Sequence, residues 1–243
     1  MVYLIIDAGN TRVKVFVFEG DNIVFEEVGD VVSTEKKIST IFLNFAIDQI
    51  ILSTVGKFDA KTSGLDKIGI PLILLNQSTE VPFVNLYKTP GTLGVDRIAL
   101  MSAAATKYAK QNVLVIDAGT CITYDFLNAE NQYLGGGISP GLEMRYKALH
   151  AFTEKLPLLP AETSFQMIGN DTNSSIHSGV GYGFVCEVDG IISSYLQQYS
   201  DLTVVLTGGD MFYLSKRLKN GIFANPNFLV EGLHAILKYN INE

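Results

Sequence analysis

The sequence predicts an α/β protein of two related lobes, residues 1–111 and 112–243. Strand and helix patterns alternate along the chain, as βββαβαβ in the first half and as βββ-α-α-β-α-α in the second. A strand, a polar turn and a second strand at 4–18 are repeated at 112–127. Hydrophobic residues make up 47% of the 243 positions, which is enough for a substantial core.

The first repeat, LIIDAGNTRVKVFVF at 4–18, predicts a buried strand, a tight turn and a paired return strand. Its turn carries a carboxylate at Asp7, a glycine at Gly9, an amide at Asn10 and a hydroxyl at Thr11. Glycine lets the backbone approach a ligand, N–H and O–H groups donate to anionic oxygens, and a carboxylate can hold Mg²⁺. The turn therefore fits a bound phosphate, although an ordinary hairpin turn uses the same residue types.

Further elements of the first half follow from periodicity and turn residues. The predicted strands are Ile23–Val28, Gln49–Val55 and Pro71–Leu75, and the predicted helices begin at Ser33 and span Asp59–Lys67 and Gly94–Lys110. Residues 76–93 are polar and contain Pro82 and Pro90, so they predict an excursion into a site.

The second repeat places Asp117-Ala118-Gly119-Thr120 at the same point of its pattern, 110 residues after the first Asp-Ala-Gly. If the two lobes are related by a pseudo-twofold axis, the two turns would face each other across a cleft and clamp a polyphosphate. Farther on, Ser139 is predicted to cap a helix and Pro140 to be its first residue.

Two other features have both a functional and an ordinary interpretation. Lys14 can neutralise a phosphate, or it can be a solvated strand residue. The strand-Gly-Gly-helix pattern at 206–210 can let a flat adenine lie against bare backbone, or it can be a simple connection.

Asp96 and Arg97 lie in the first turn of a predicted helix. An aspartate there can simply favour the helix dipole. It can also act as a general base that accepts the proton of an alcohol, while Arg97 grips a substrate carboxylate with two hydrogen bonds.

The composition excludes several function classes. Eighteen Lys and Arg against 25 Asp and Glu leave a formal charge of −7, which argues against a broad nucleic-acid surface. The three histidines share no metal-ligand spacing, and no run approaches the roughly 20 apolar residues that span a membrane. Cys121 and Cys186 form no C-x-x-C motif, so we expect small buried thiols in a reduced, cytoplasmic protein.

Short motifs occur in a fixed order over nearly the whole chain: Asp7–Thr11 with Lys14, Tyr87 seven residues before Gly94–Arg97, Asp117–Thr120, Thr123 with Asp125, Ser139–Gly141, Leu156-Pro157, Thr172 before Ser175, Ile176 and Gly179, and Leu206–Gly209. This ordered set resembles the type III pantothenate kinases of the actin/Hsp70/sugar-kinase superfamily. The G-x-D-R element between the two Asp turns separates this family from other superfamily members.

The resemblance implies two actin-like, RNase H-like lobes around an inter-lobe cleft, each with a mixed five-stranded sheet and flanking helices. It implies ATP-dependent phosphorylation of pantothenate to 4'-phosphopantothenate, the first step of coenzyme A synthesis. Mg²⁺ and K⁺ (or NH₄⁺) would be the cofactors, and the protein would be a homodimer.

The resemblance also assigns roles to residues. Asp96 would be the catalytic base, and Asp117 would hold the monovalent cation. ATP would be bound by Asp7, Ala8, Gly9, Asn10, Thr11, Arg12, Val13 and Lys14, with Thr120 assisting. Pantothenate would be contacted by Tyr87, Gly94, Val95, Asp96, Arg97 and Thr172. Cys121 departs from the family, which usually has alanine there. The alternatives are another small-molecule kinase of the superfamily, or a non-catalytic regulator like the relatives described as transcriptional accessory factors.

Overall fold

The computed structural model describes residues 1–9, 12–54, 58, 60–61, 63–162 and 164–241, with only the backbone at 35 and 36. Of the predicted positions, Asn10, Thr11, Val55 and Asp59 lie outside the described residues. The chain divides into two compact units, Met1–Lys107 with Phe228–Glu243 (unit 1) and Tyr108–Asn227 (unit 2).

Eleven strands and seven α-helices are present in the described ranges. The strands are β1 Val2–Ala8, β2 Val13–Glu19, β3 Asn22–Gly29, β4 Gln49–Thr54, β5 Leu72–Leu74, β6 Val84–Asn85, β7 Val113–Ala118, β8 Cys121–Leu127, β9 Gln132–Pro140, β10 Thr203–Thr207 and β11 Phe223–Ala224. The α-helices are α1 Val31–Asn44, α2 Val95–Lys107, α3 Leu142–Ala151, α4 Thr172–His177, α5 Gly183–Gln198, α6 Met211–Ser215 and α7 Phe228–Asn240. Short 3₁₀ helices span Leu65–Lys67 and Pro90–Thr92, and a π-helix spans Ser178–Tyr182 between α4 and α5.

Unit 1 is built on a five-stranded sheet in the order β3-β2-β1-β4-β5. The β1–β2 and β2–β3 pairs are antiparallel, whereas β4 is parallel to both β1 and β5. Alternate residues of β1 and β2 form a core with α1 on one face. On the other face of β1, Tyr3 meets His234 of α7, with ring centroids 5.3 Å apart.

Helix α7 closes unit 1, although it comes from the end of the chain. Its Gly232 lies so close to the backbone of Ala99 in α2 that no Cβ would fit. Leu233, Ile236 and Leu237 are fully buried. The predicted lobe boundaries place this helix with the second half, and the structure differs because the apolar face of α7 packs on α2 and the first sheet.

In unit 2 the strands follow the order β9-β8-β7-β10-β11, which repeats the order β3-β2-β1-β4-β5 of unit 1. Here too the β7–β8 and β8–β9 pairs are antiparallel, whereas β10 is parallel to both β7 and β11. Residues from α3, α4, α5 and α6 pack on one face of β7 and β8. The prediction of two related mixed sheets of five strands with flanking helices is confirmed, since unit 2 contributes the five strands β7–β11 to its sheet.

The helix predicted at 59–67 is present only as the 3₁₀ helix Leu65–Lys67 among the described residues. Three further local predictions are wrong. Ser139 and Pro140 end β9 and pair with Ile122 and Cys121, so the residue that caps α3 is Gly141. Helix α1 begins before Ser33, because Asp30 accepts from the Ser33 N–H at 2.8 Å and forms the cap.

The thiols are the third case. Both Cys121 and Cys186 are exposed instead of buried. Cys121 begins β8 just after the turn, where the strand is not yet covered.

Candidate active site

Asp7 lies at the end of β1 between two polar neighbours. In the register of the sheet it pairs with Lys14 of β2 and with Ser53 of β4. Burial raises the pKa of Asp7 to about 6; the Lys14 ammonium opposes this shift, and the Asp96 carboxylate adds to it. Lys14 and Asp96 both act on the charge of Asp7, so these three side chains lie near each other at one end of unit 1.

The turn after Asp7 is closed by the Gly9 N–H, which donates to the Arg12 carbonyl at 3.0 Å. Ala8 and Val13 on either side of it are buried in the core of unit 1. Their side chains therefore anchor the turn, and only their backbone can face a ligand. Arg12 is exposed.

The Asp96–Arg97 pair begins α2. The Arg97 backbone N–H donates to Asp96 Oδ1 at 2.8 Å, which orients the carboxylate. Arg97 is only 5% exposed, and its guanidinium lies 5.6 Å from the centre of the Tyr87 ring. A buried guanidinium against an aromatic ring is held in one orientation, as recognition of a carboxylate requires.

Gly94 makes room for this arrangement, because a Cβ at this position would collide with the Asp96 carboxylate. The Gly94 carbonyl also accepts the Ile98 N–H at 3.1 Å as α2 begins. Val95 is buried and belongs to the hydrophobic core.

Unit 2 contains an equivalent strand end at Asp117. It pairs with Thr123 of β8 and Thr207 of β10, as Asp7 pairs with Lys14 and Ser53. The Thr123 Oγ1 atom is buried without a hydrogen-bond partner among the described residues. One carboxylate and two hydroxyl oxygens are the ligand types that hard cations prefer, so these residues fit a bound K⁺.

Glycines let the backbone crowd around Asp117. Gly208 has a φ of +93°, and a Cβ there would lie 2.5 Å from the Ala118 carbonyl oxygen. The Gly141 N–H donates to the Thr120 carbonyl at 3.2 Å, which fixes the backbone of the turn. The Thr120 side chain is exposed.

Thr172 belongs to unit 2. It is the first residue of α4, after the Asp171 cap, and lines a cavity of about 630 Å³ together with Leu156, Ser175 and Gly179. A second cavity in unit 2, of about 680 Å³, is lined by Phe165, Tyr182, Cys186, Arg217 and others, and holds none of the predicted site residues.

Sequence reasoning missed Ser53 as a neighbour of Asp7. A signal was present, because the apolar run at 49–52 ends directly in Ser53 and Thr54. Polar residues at the carboxyl end of a buried parallel strand commonly line a ligand site. No group of three or more His, Cys, Asp or Glu side chains forms a metal cluster among the described residues.

The fold places the chain in a class of α/β proteins that contains several sugar kinases. A glucokinase from an Antarctic psychrotroph has a TM-score of 0.53 at 12% identity, with 98% of this chain and 99% of that chain covered. A conserved Baf family protein from Campylobacter jejuni, described as a possible transcriptional activator, has a TM-score of 0.62 at 22% identity and covers 99% and 100%. At these identities the likeness shows the fold alone.

The family is shown by sequence. Residues 3–194 match the family model of type III pantothenate kinase. A Type III pantothenate kinase of Flavobacterium johnsoniae is 44% identical over 240 residues, and one of Christiangramia forsetii is 46% identical over 238, each covering 98% of both chains. The chain belongs to the type III pantothenate kinase family, so the predicted enzyme class is confirmed.

Proposed function

We propose that this protein transfers the γ-phosphoryl group of ATP to the hydroxyl of pantothenate, giving 4'-phosphopantothenate and ADP. The observation that carries the proposal is the Asp96–Arg97 pair, with one ordered carboxylate beside a buried guanidinium. The substrate offers the matching groups, an alcohol and a carboxylate. Membership of the family supports the same reaction.

Residues 7–14 and Thr120 would hold the ATP phosphates. Lys14 supplies positive charge beside Asp7, where its ammonium can bind anionic phosphate oxygens. Asp7 fits a Mg²⁺ ion, which usually binds one or two carboxylates together with substrate phosphates. Such an ion neutralises the charge that develops on the transferred group.

Asp96 would accept the proton as the hydroxyl oxygen of pantothenate bonds to the γ-phosphorus. The bond from that phosphorus to the β-γ bridging oxygen breaks, and ADP leaves. Arg97 would bind the carboxylate of pantothenate in a bidentate manner, with its guanidinium over the Tyr87 ring. Catalysis of this kind depends mainly on positioning and electrostatics.

Asp117 would bind K⁺ or NH₄⁺ together with the hydroxyls of Thr123 and Thr207. The buried, unpartnered Thr123 Oγ1 supports this assignment, because a bound cation would satisfy it. Asp117→Ala should abolish the dependence of turnover on K⁺ concentration. Full K⁺ dependence in this variant would contradict the assignment.

We further infer a homodimer in the cytoplasm. The segment 152–168 of unit 2 exposes Phe152 by 87%, Met167 by 64% and Ile168 by 74%, and exposed side chains of this size favour a protein partner. Sedimentation should give a dimer mass, and Ile168→Asp should shift it toward the monomer. A monomer in the unsubstituted protein would contradict this inference.

The reaction can be tested by ³¹P NMR with ATP, pantothenate, Mg²⁺ and K⁺. A new phosphomonoester signal is expected, and Asp96→Asn should slow its appearance by about 10²–10⁴-fold, the usual contribution of a general base. Asp66→Asn is the control, since this aspartate is exposed in the 3₁₀ helix. Near-normal turnover in the Asp96 variant would remove its assigned role.

A further inference from the structure

Arg145, in the first turns of α3, joins α3 to two neighbouring elements. Its Nη2 donates to Glu187 Oε2 of α5 at 2.6 Å and to Ser139 Oγ of β9 at 3.0 Å, and its Nε donates to the Pro140 carbonyl at 2.9 Å. The guanidinium carbon lies 4.8 Å from the centre of the Phe184 ring. An ion pair that served only to join α3 and α5 would not need the two contacts to β9.

Glu187 is itself held by a residue of the sheet. Tyr124 of β8 donates its hydroxyl to Glu187 Oε1 at 3.1 Å, so the two carboxylate oxygens receive donors from two elements. Burial and the neighbouring Glu187 charge raise the pKa of Tyr124, which keeps its hydroxyl protonated as a donor. Arg145 and Glu187 are both mostly buried, with 20% and 27% of their side chains exposed, so solvent screens the pair only weakly.

The two β9 residues that Arg145 holds directly precede Gly141. Gly141 donates its N–H to the Thr120 carbonyl at 3.2 Å and accepts the Arg145 N–H at 3.2 Å. A Cβ at Gly141 would overlap the carbonyls of Gly119 and Thr120, so the two backbone segments are in tight contact. Movement of residues 139–141 would therefore move the turn at Gly119-Thr120.

We propose that Arg145, fixed by Glu187 and Tyr124, is a positioning residue that sets the Gly119-Thr120 turn for ATP. The assignment rests on the proposed function in one respect, namely that Thr120 contacts the ATP phosphates. The guanidinium fork is essential, because one Lys ammonium cannot reach Ser139, Pro140 and Glu187 with the same planar geometry.

Two substitutions separate positioning from fold stability. Arg145→Lys keeps a positive charge near Glu187 but loses the fork, and Ser139→Ala removes one hydrogen bond while the Arg145–Glu187 pair remains. Lys147→Ala is the matched control, because Lys147 pairs with Glu143 on the same helix and both side chains are exposed.

Steady-state kinetics should show a higher KM for ATP in Arg145→Lys, by about tenfold, which corresponds to about 1.4 kcal/mol. Ser139→Ala should show a smaller rise. The KM for pantothenate and the melting temperature should change little in both variants, and Lys147→Ala should match the unsubstituted protein. An unchanged KM for ATP in an active Arg145→Lys protein would overturn the proposal.

Hydrogen exchange gives a readout that does not depend on turnover. The Gly119 and Gly141 amides should exchange faster in Arg145→Lys and Ser139→Ala than in Lys147→Ala, because both amides hold the turn. Unchanged exchange would overturn the positioning role. The unsubstituted protein could form no phosphopantothenate while these amides still exchange faster in the two variants. The proposed reaction would then be wrong, but the coupling of Arg145 to the Gly119-Thr120 turn would be supported. If Arg145→Lys fails to fold, Ser139→Ala decides the question by the same two measurements.

Discussion

Asp7 and Lys14 lie directly opposite each other in the antiparallel β1–β2 pair, at the point where both strands meet the turn. Burial nevertheless raises the pKa of Asp7 to about 6, so the desolvation of this carboxylate outweighs its attraction to Lys14. The Asp96 carboxylate adds to the same shift. The Lys14 ammonium alone therefore does not offset the burial of Asp7, which suits a site that also binds a metal–nucleotide complex.

Asp7→Asn should stabilise the fold above pH 6 while it abolishes turnover. The pKa of this carboxyl is higher in the folded state than its ordinary value of 3.8. The free energy of unfolding therefore falls as pH rises from about 4 to about 6, and ionised Asp7 then costs the fold about 2–3 kcal/mol. Urea unfolding at pH 4 and pH 8 measures this, with Asp66→Asn as the control. A variant that is less stable than the unsubstituted protein at pH 8 would contradict the burial argument.

Gly208→Ala should destabilise unit 2 by about 1–3 kcal/mol, the usual range for a strained backbone position. The φ of +93° disfavours any side chain, and the new Cβ would press on the Ala118 carbonyl beside Asp117. Gly209→Ala is the neighbouring control, because no atom lies within 4 Å of its Cβ position. Thermal unfolding of the two variants measures the difference, and equal melting temperatures would show that the crowding is unimportant.

Gly232→Ala should destabilise the protein, because the new methyl group would overlap the Ala99 backbone and separate α7 from α2. Gly190→Ala in α5 meets no atom within 4 Å and replaces a helix-interior glycine, so it should stabilise by about 0.5–1 kcal/mol. Urea unfolding of both variants tests the packing of α7 within unit 1. A neutral Gly232→Ala would contradict it.

Arg97→Lys should raise the KM for pantothenate by about 10–100-fold and leave the KM for ATP within about twofold. The ammonium keeps the charge but cannot bind a carboxylate with two parallel hydrogen bonds. The control substrate is pantothenyl alcohol, in which an uncharged hydroxymethyl group replaces the carboxylate. It should be a poor substrate for the unsubstituted enzyme and should lose little further in the variant. An equal loss with both substrates would show that Arg97 does not recognise the carboxylate.

Local patterns predict the strand ends of both units well, because a nearly unbroken apolar run marks each buried strand and the turn residues set its end. The sequence pattern thus identifies Asp7 and Asp117 as equivalent positions, and the structure gives them equivalent neighbours. The place of α7 could not be predicted in this way, since its contact with Ala99 joins residues far apart in sequence. Arg145 was missed for the same reason, because its role depends on Glu187, which is 42 positions away.

The central claim is that the Asp96–Arg97 pair recognises a substrate that carries both an alcohol and a carboxylate. The alcohol of this substrate accepts the phosphoryl group of ATP. The decisive measurement is the rate of ADP release by the purified, folded protein with Mg²⁺ and K⁺, with and without pantothenate. We expect release that depends on pantothenate and is matched mole for mole by phosphopantothenate. ADP release that is absent, or that is the same without pantothenate, would contradict the assignment.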